Sequence, residues 1–179
     1  MLDNISRVLI NEEQLMNRVR EMGRQITEDY TGKNLVIIGI LKGAVIFTSD
    51  LVKEIKLPLV MDFMAVSSYG SSTKSSGVVR ILKDLDEEIE GKDILIVEDI
   101  VDTGLTLHYL VENLLSRRPK SLKICCFLDK PSRRTAAVNV SYVGFSISDE
   151  FVVGYGLDYA EKYRNLPYVG ILAKEAYEK

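Results

Sequence analysis

Residues 95–107 read LIVEDIVDTGLTL. Two adjacent carboxylates, Glu98 and Asp99, close an apolar run. Asp102 follows, and Thr103-Gly104-Leu105-Thr106 then opens a helical pattern. Such a turn gathers backbone N–H groups, two hydroxyls and a helix N-terminus, the chemistry that holds a phosphate monoester. Asp102 or Thr103 could instead simply cap the helix. Capping leaves Glu98 and Asp99 unexplained. Neighbouring strand residues face opposite ways, so at least one of the two points toward the core or a cleft. A carboxylate withdrawn from water is costly unless something pairs with it. A divalent metal, sugar hydroxyls or a cationic reaction intermediate would each serve.

Other chemistries drop out on the residues available. There is no G-x-x-x-x-G-K-[ST] and no G-x-G-x-x-G after a strand, which removes the common nucleotide-binding fingerprints. The single histidine, His108, falls on the helix after Thr106 and reads as a surface side chain. No Ser-His-Asp, Cys-His or Cys/His metal set can be assembled.

The elements that must position the 98–106 stretch alternate between strand and helix. Asn11 can cap a helix with the apolar stripe Leu15, Val19, Met22 and Ile26, which Gly32 stops. LVIIGIL (35–41) is a continuous apolar run, as a central parallel strand buried on both faces requires. Lys42-Gly43 leads into a helix over roughly 44–55, and LVMDFMAV (59–66) and VVRILKD (78–84) are strands. Between them, SSYGSSTKSSG (67–77) is too polar and glycine-rich to pack. It is expected to be a mobile loop, either a plain hairpin connection or a lid over a site. DILIVED (93–99), SLKICCFLD (121–129), SYVGFSI (141–147), FVVGY (151–155) and YVGIL (168–172) complete the strands, with a helical turn at 159–163. This order predicts one α/β domain over 1–179, built on an open, mostly parallel sheet with right-handed crossovers. Ligands on such sheets lie beyond the carboxyl ends of the strands. Three polar clusters fall there: Lys42-Gly43, Glu98 to Thr106, and Asp129-Lys130.

The stretch VEDI-x-DTG-x-T resembles the phosphoribosyl pyrophosphate (PRPP) motif of the type I phosphoribosyltransferases. The likeness extends from about residue 35 to 172. LKG (41–43) resembles the family's pyrophosphate loop, and SSYGSSTKSSG resembles its mobile catalytic loop. Lys130 with Pro131 and the basic pair after it, together with FVVGYGLDYAEKYR (151–164), resemble the base-recognition segments of the hypoxanthine-guanine branch. The length is that of the short bacterial-type enzymes. The resemblance implies a twisted sheet flanked by helices, with a small hood from the terminal segments (base recognition about 148–172) and a mobile loop.

It also implies a reaction: hypoxanthine or guanine plus PRPP gives IMP or GMP plus pyrophosphate, through an oxocarbenium-like transition state with Mg²⁺. In that reading Asp102, Glu98 and Asp99 are catalytic. The 5′-phosphate sits on Asp102, Thr103, Gly104, Leu105 and Thr106. Pyrophosphate sits on Leu41, Lys42, Gly43 and Arg164, and the family often has a non-proline cis peptide before this lysine. Lys130, Phe151, Val152 and Asp158 recognise the base, and Ser68 and Tyr69 close over the ribose. Glu98, Asp99 and Asp158 are the metal ligands. A homodimer or homotetramer is expected.

Bulk properties set outer limits. The chain has 179 residues, 46% hydrophobic and 27% charged, and a net charge of −3, with a pI near 5.3. This is a foldable core and not a disordered chain. The acidic balance disfavours nucleic acid or anionic membrane as partner. No leader or membrane span is legible, and two adjacent cysteines, expected on opposite strand faces, fit a reducing cytoplasm. Two other readings stay open: a PRPP- or nucleotide-binding regulator on the same fold, and transfer to another base such as xanthine or a pyrimidine.

Overall fold

The structure, a computed structural model, describes residues 4–68 and 79–177. Six strands form the main sheet: β2 (Leu35–Leu41), β3 (Val60–Ser68), β4 (Val79–Lys83), β5 (Asp93–Val101), β6 (Ser121–Asp129) and β7 (Tyr142–Ser146). Their order across the sheet is β4-β3-β2-β5-β6-β7, parallel throughout except for the antiparallel edge pair β3–β4. Helices α1 (Glu12–Tyr30) and α2 (Val45–Glu54) cover one face, and α3 (Leu105–Leu115) covers the other.

The two-residue period of a strand explains how one sequence serves both layers. Leu35 and Ile37 of β2, Leu95 and Val97 of β5, and Cys125 and Phe127 of β6 face the α1–α2 core. The alternate residues Val36, Ile38, Ile94, Ile96, Ile124 and Cys126 face α3. The cysteines are therefore free, buried and on opposite faces. Leu15, Val19, Met22 and Ile26 of α1 are all buried, as their spacing predicts. Asn11 starts that helix through a reciprocal capping box: its side chain accepts from the Gln14 N–H (2.9 Å) and its own N–H donates to Gln14 Oε1 (3.0 Å).

A second, three-stranded antiparallel sheet forms the hood. It joins β1 (Ile5–Ile10), β8 (Val152–Val153) and β9 (Val169–Leu172) in the order β1-β9-β8. Phe127 ties the hood to the main sheet, with its ring 5.2 Å from that of Phe47 and 4.9 Å from that of Tyr155.

Four details differ from the sequence expectation. β1 does not show in the pattern, because register shifts at Ile5/Arg7 and Val8/Ile10 break its alternation. β5 runs two residues further than expected, to Val101. Residues 159–163 are not a helical turn. Ala160, Glu161 and Tyr163 have φ of +50°, +62° and +78°, and Tyr159 and Lys162 pair in a β-bridge. Finally, Ser67 and Ser68, expected in the loop, extend β3. The rest of that expected loop, Tyr69 included, lies outside the described residues. Among those described, no helix is long and apolar enough to cross a membrane.

Candidate active site

The carboxyl end of the sheet carries three clusters. The first is the end of β5 and the turn into α3. Glu98 is buried and Asp99 half-buried. Burial pushes both carboxyls up, Glu98 well above its usual range and Asp99 to about 6. For Glu98 the charge of Asp99 and a hydrogen bond between the two add to the rise. Glu98 thus keeps its proton more readily than a free carboxyl, in a place where hard-acid chemistry would favour a cation. Among the described residues no three His, Cys, Asp or Glu side chains converge as a metal cage. Mg²⁺ needs none, since it binds through one or two carboxylates plus substrate oxygens, and the oxygen donors of Glu98 and Asp99 fit it.

Past the pair, the turn is open to an anion. Gly104, at φ +83°, is the N-cap of α3 and has no side chain to cap with. Thr103 Oγ1 makes only a long contact with the Leu105 N–H (3.4 Å). Asp102 does not cap either, because its carboxylate is held by Arg133 Nε at 3.0 Å. A cavity of about 120 Å³ opens here, lined by Glu98, Asp102, Thr103, Gly104 and Thr106. The plain capping explanation of this stretch therefore fails. Leu105 is exposed at the head of the helix. The turn is braced from behind: Thr135 and Ala136 donate N–H bonds to the Thr103 carbonyl (2.9 and 3.1 Å). Arg134 Nε reaches the Asp102 carbonyl (3.2 Å), and its Nη2 pairs with Asp129.

The second cluster joins the end of β2 to the hood. The Leu41–Lys42 peptide is cis, as the resemblance implies. Gly43 lies so close to Asp99 that a Cβ at 43 would overlap its carboxylate, and a Cβ at Gly156 would overlap the Gly43 carbonyl. Arg164 Nη1 donates to the Gly156 carbonyl (2.7 Å), and Nη2 pairs with Asp158 Oδ1 (2.9 Å) and Glu161 Oε1 (3.4 Å). Lys42 Nζ donates to the other oxygen of Glu161 (2.9 Å). Lys42 and Arg164, more than 120 residues apart in the chain, thus meet over one carboxylate. Glu161 is the residue sequence reasoning missed here. Its only sequence signal is an acidic residue between Asp158 and Arg164.

The third cluster is the end of β6. Lys130 is buried, with Nζ donating to the Glu150 carbonyl (2.7 Å) and 3.5 Å from Asp149 Oδ1. Arg133 joins this cluster to the first, because it also lies 3.5 Å from Asp149; its role is not legible from spacing. Phe151 is 38% exposed. Its ring stacks on Tyr177 (4.8 Å between centroids, 25° between planes) and meets Tyr159 edge-on. Val152 is buried in β8. Ser68 ends β3, the neighbour of β2. His108 is exposed beside Glu112 and the Ala137 carbonyl, a surface residue as its position suggested.

Comparison with known proteins agrees with this geometry. The family model described as phosphoribosyl transferase domain matches residues 9–160. The chain is 56% identical over 178 residues to the hypoxanthine-guanine phosphoribosyltransferase of Bacillus subtilis, covering 99% of each. It is 55% identical over 182 residues to that of Mycobacterium avium, covering 98% of this chain and 90% of the relative. It also matches the bifunctional protein TilS/HprT of Listeria innocua at 54% identity over its full length, and there it spans only 28% of the relative. A solved hypoxanthine phosphoribosyltransferase from Staphylococcus aureus is 54% identical, with a TM-score of 0.97 over 100% of this chain and 97% of that one.

The raised carboxyls carry a stability consequence of definite sign. A carboxyl whose folded pKa exceeds its unfolded value costs nothing at acid pH and destabilises the fold as pH rises. In metal-free buffer near pH 8, Glu98→Gln should therefore be more stable to urea than the wild type by about 1–3 kcal/mol. The gap should shrink toward pH 4.5. A pH-independent difference would remove the assigned cause.

Proposed function

The chain belongs to the phosphoribosyltransferase family, and on that premise we propose that it is a purine-salvage enzyme. It transfers the 5-phosphoribosyl group of PRPP to hypoxanthine or guanine, giving IMP or GMP and pyrophosphate. One observation carries this most directly: an uncapped helix N-terminus, two carboxyls shifted upward by burial and a buried lysine share one end of the sheet.

The chemistry assigns each group a part. N9 of the base attacks the anomeric carbon, and the bond to pyrophosphate breaks with its electron pair leaving on oxygen. Positive charge develops on the ribose ring while that bond breaks, ahead of full bonding to N9. Glu98 and Asp99 accept hydrogen bonds from the ribose hydroxyls, and their field favours that charge. Asp102 takes the proton from N7 as general base. Arg133 Nε donates to the Asp102 carboxylate at 3.0 Å and so fixes its orientation. The turn of Thr103, Gly104, Leu105 and Thr106 receives the 5′-phosphate at its free N–H groups. Leu41, Lys42 and Gly43, with Arg164, take the pyrophosphate.

Mg²⁺ would be held by Glu98 and Asp99 with the ribose hydroxyls, and a second Mg²⁺ by Asp158 with pyrophosphate oxygens; together they would supply charge neutralisation there. Asp158 is free for that only when its bond to Arg164 rearranges.

For the base, Lys130 donates to the 6-oxo group, which favours hypoxanthine and guanine over adenine, whose 6-amino group is itself a donor. Phe151 offers its ring to the purine face, and Val152 offers backbone groups to the base edge. Ser68 and Tyr69 belong to the segment assigned to cover the ribose. A cytoplasmic homodimer or homotetramer is the assembly the family resemblance supports.

The deciding experiment is a PRPP-dependent assay across hypoxanthine, guanine, xanthine, adenine and uracil, run with Mg²⁺ and with EDTA. Turnover is expected with the first two bases and only with metal; turnover of uracil alone, or turnover in EDTA, would overturn the assignment. Asp102→Asn should lower kcat by about 10²–10⁴ while PRPP binding changes little, and unchanged turnover would take Asp102 out of the chemistry. Lys130→Ala should erode discrimination against adenine; intact discrimination would place the 6-oxo donor elsewhere.

A further inference from the structure

The contact between Lys42, Glu161 and Arg164 has no part in the reaction as assigned. We infer that Glu161 is an internal competitor for pyrophosphate, a carboxylate that occupies the two cations from which the leaving group must take its hold. The inference rests on the assignment of Lys42 and Arg164 to pyrophosphate.

Three observations carry it. Each oxygen of the Glu161 carboxylate is spent on a different cation: Oε2 on Lys42 at 2.9 Å and Oε1 on Arg164 at 3.4 Å. That bridging pattern is the one a pyrophosphate oxygen pair would adopt between the same groups. Next, the residue is delivered by a backbone that L side chains seldom adopt, with φ of +50° at Ala160 and +62° at Glu161. The turn is held by the Glu161 N–H donating to Asp158 Oδ2 (2.9 Å). A structural ion pair on the hood alone would need no such turn. Third, the contact is exposed: the side chains of Lys42 and Glu161 are 69% and 66% accessible. It is therefore weak and exchangeable, and an anion arriving from solvent can displace it. Lys42 also holds Glu161 below the usual carboxylate range, so the competitor stays charged at neutral pH.

The same displacement has a second effect. Asp158 pairs with Arg164 and accepts from the Glu161 N–H. Pyrophosphate that takes up Arg164 competes with Asp158 for the same cation, while the Glu161 N–H bond, being backbone, stays in place. Affinity is held down so that the product can leave.

The test is calorimetric titration of inorganic pyrophosphate into the wild type, Glu161→Gln, Lys42→Ala and the double variant. Glu161→Gln keeps the backbone N–H and the shape of the side chain and removes the charge. It should bind pyrophosphate about two- to fivefold more tightly, the range that an exposed ion pair allows. The KM for PRPP should fall by a similar factor while kcat holds or falls. Lys42→Ala should weaken binding, and in its background Glu161→Gln should gain less than it does alone. Equal or weaker pyrophosphate binding by Glu161→Gln, with Lys42→Ala still weakened, would overturn the competitor and make Glu161 a support for Lys42. Unchanged binding in Lys42→Ala would instead overturn the pyrophosphate assignment, and the competitor with it.

Discussion

The meeting of Gly43 with the Asp99 carboxylate sets the frame for this end of the molecule. It fixes how close the ends of β2 and β5 can come, and only a residue without Cβ permits it. The hood registers on the same point, because Gly156 rests on the Gly43 carbonyl and Arg164 binds the Gly156 carbonyl. A side chain at either glycine would drive the lysine loop, the carboxyl pair and the hood apart together. The central parallel strands anchor the approach to Asp99, since β5 is paired on both sides from Asp93 to Val97 and with β6 on to Val101. The clustering of charge is thus a consequence of backbone packing, not of attraction among the charges.

Charge at the site is balanced locally. Lys42 faces Glu161, Arg164 faces Asp158, Arg133 faces Asp102 and Arg134 faces Asp129, while Lys130 meets Asp149 and the Glu150 carbonyl. An anionic substrate therefore enters by exchanging partners rather than by falling into a strongly positive well. This agrees with a chain whose net charge is −3, and such exchange is less dependent on long-range steering. The carboxyl pair on β5 is the exception: its groups share protons with each other, because burial raises the cost of two free charges.

Much of this could be read from the chain because it was written in short-range patterns. LVIIGIL and SLKICCFLD are strands of the predicted limits, and the α1 stripe is buried residue by residue. The uncapped turn at the head of α3 was legible because its glycine and hydroxyls are contiguous in sequence. What escaped depends on distant partners or on unusual backbone. β1 hides behind bulges and finds its partner more than 150 residues away. The 159–163 segment turns back on itself, with Tyr159 and Lys162 exchanging N–H to carbonyl bonds, because its flanks pair across the hood, Tyr155 N to Leu166 O and Gly156 N to Arg164 O. Glu161 escapes a reading of the sequence, and Arg133 shows there only as half of a basic pair, because their importance lies in what they touch.

The adjacent cysteines turn this two-layered core into something that can be watched from within. Both thiols are buried and their ionisation is pushed up by burial, so neither reacts as the fold stands. Cys125 belongs to the layer under α1 and α2, and Cys126 to the layer under α3. Alkylation of one or the other therefore records which side of the sheet has opened. Two neighbouring atoms of sulfur serve as separate clocks for the breathing of the two halves.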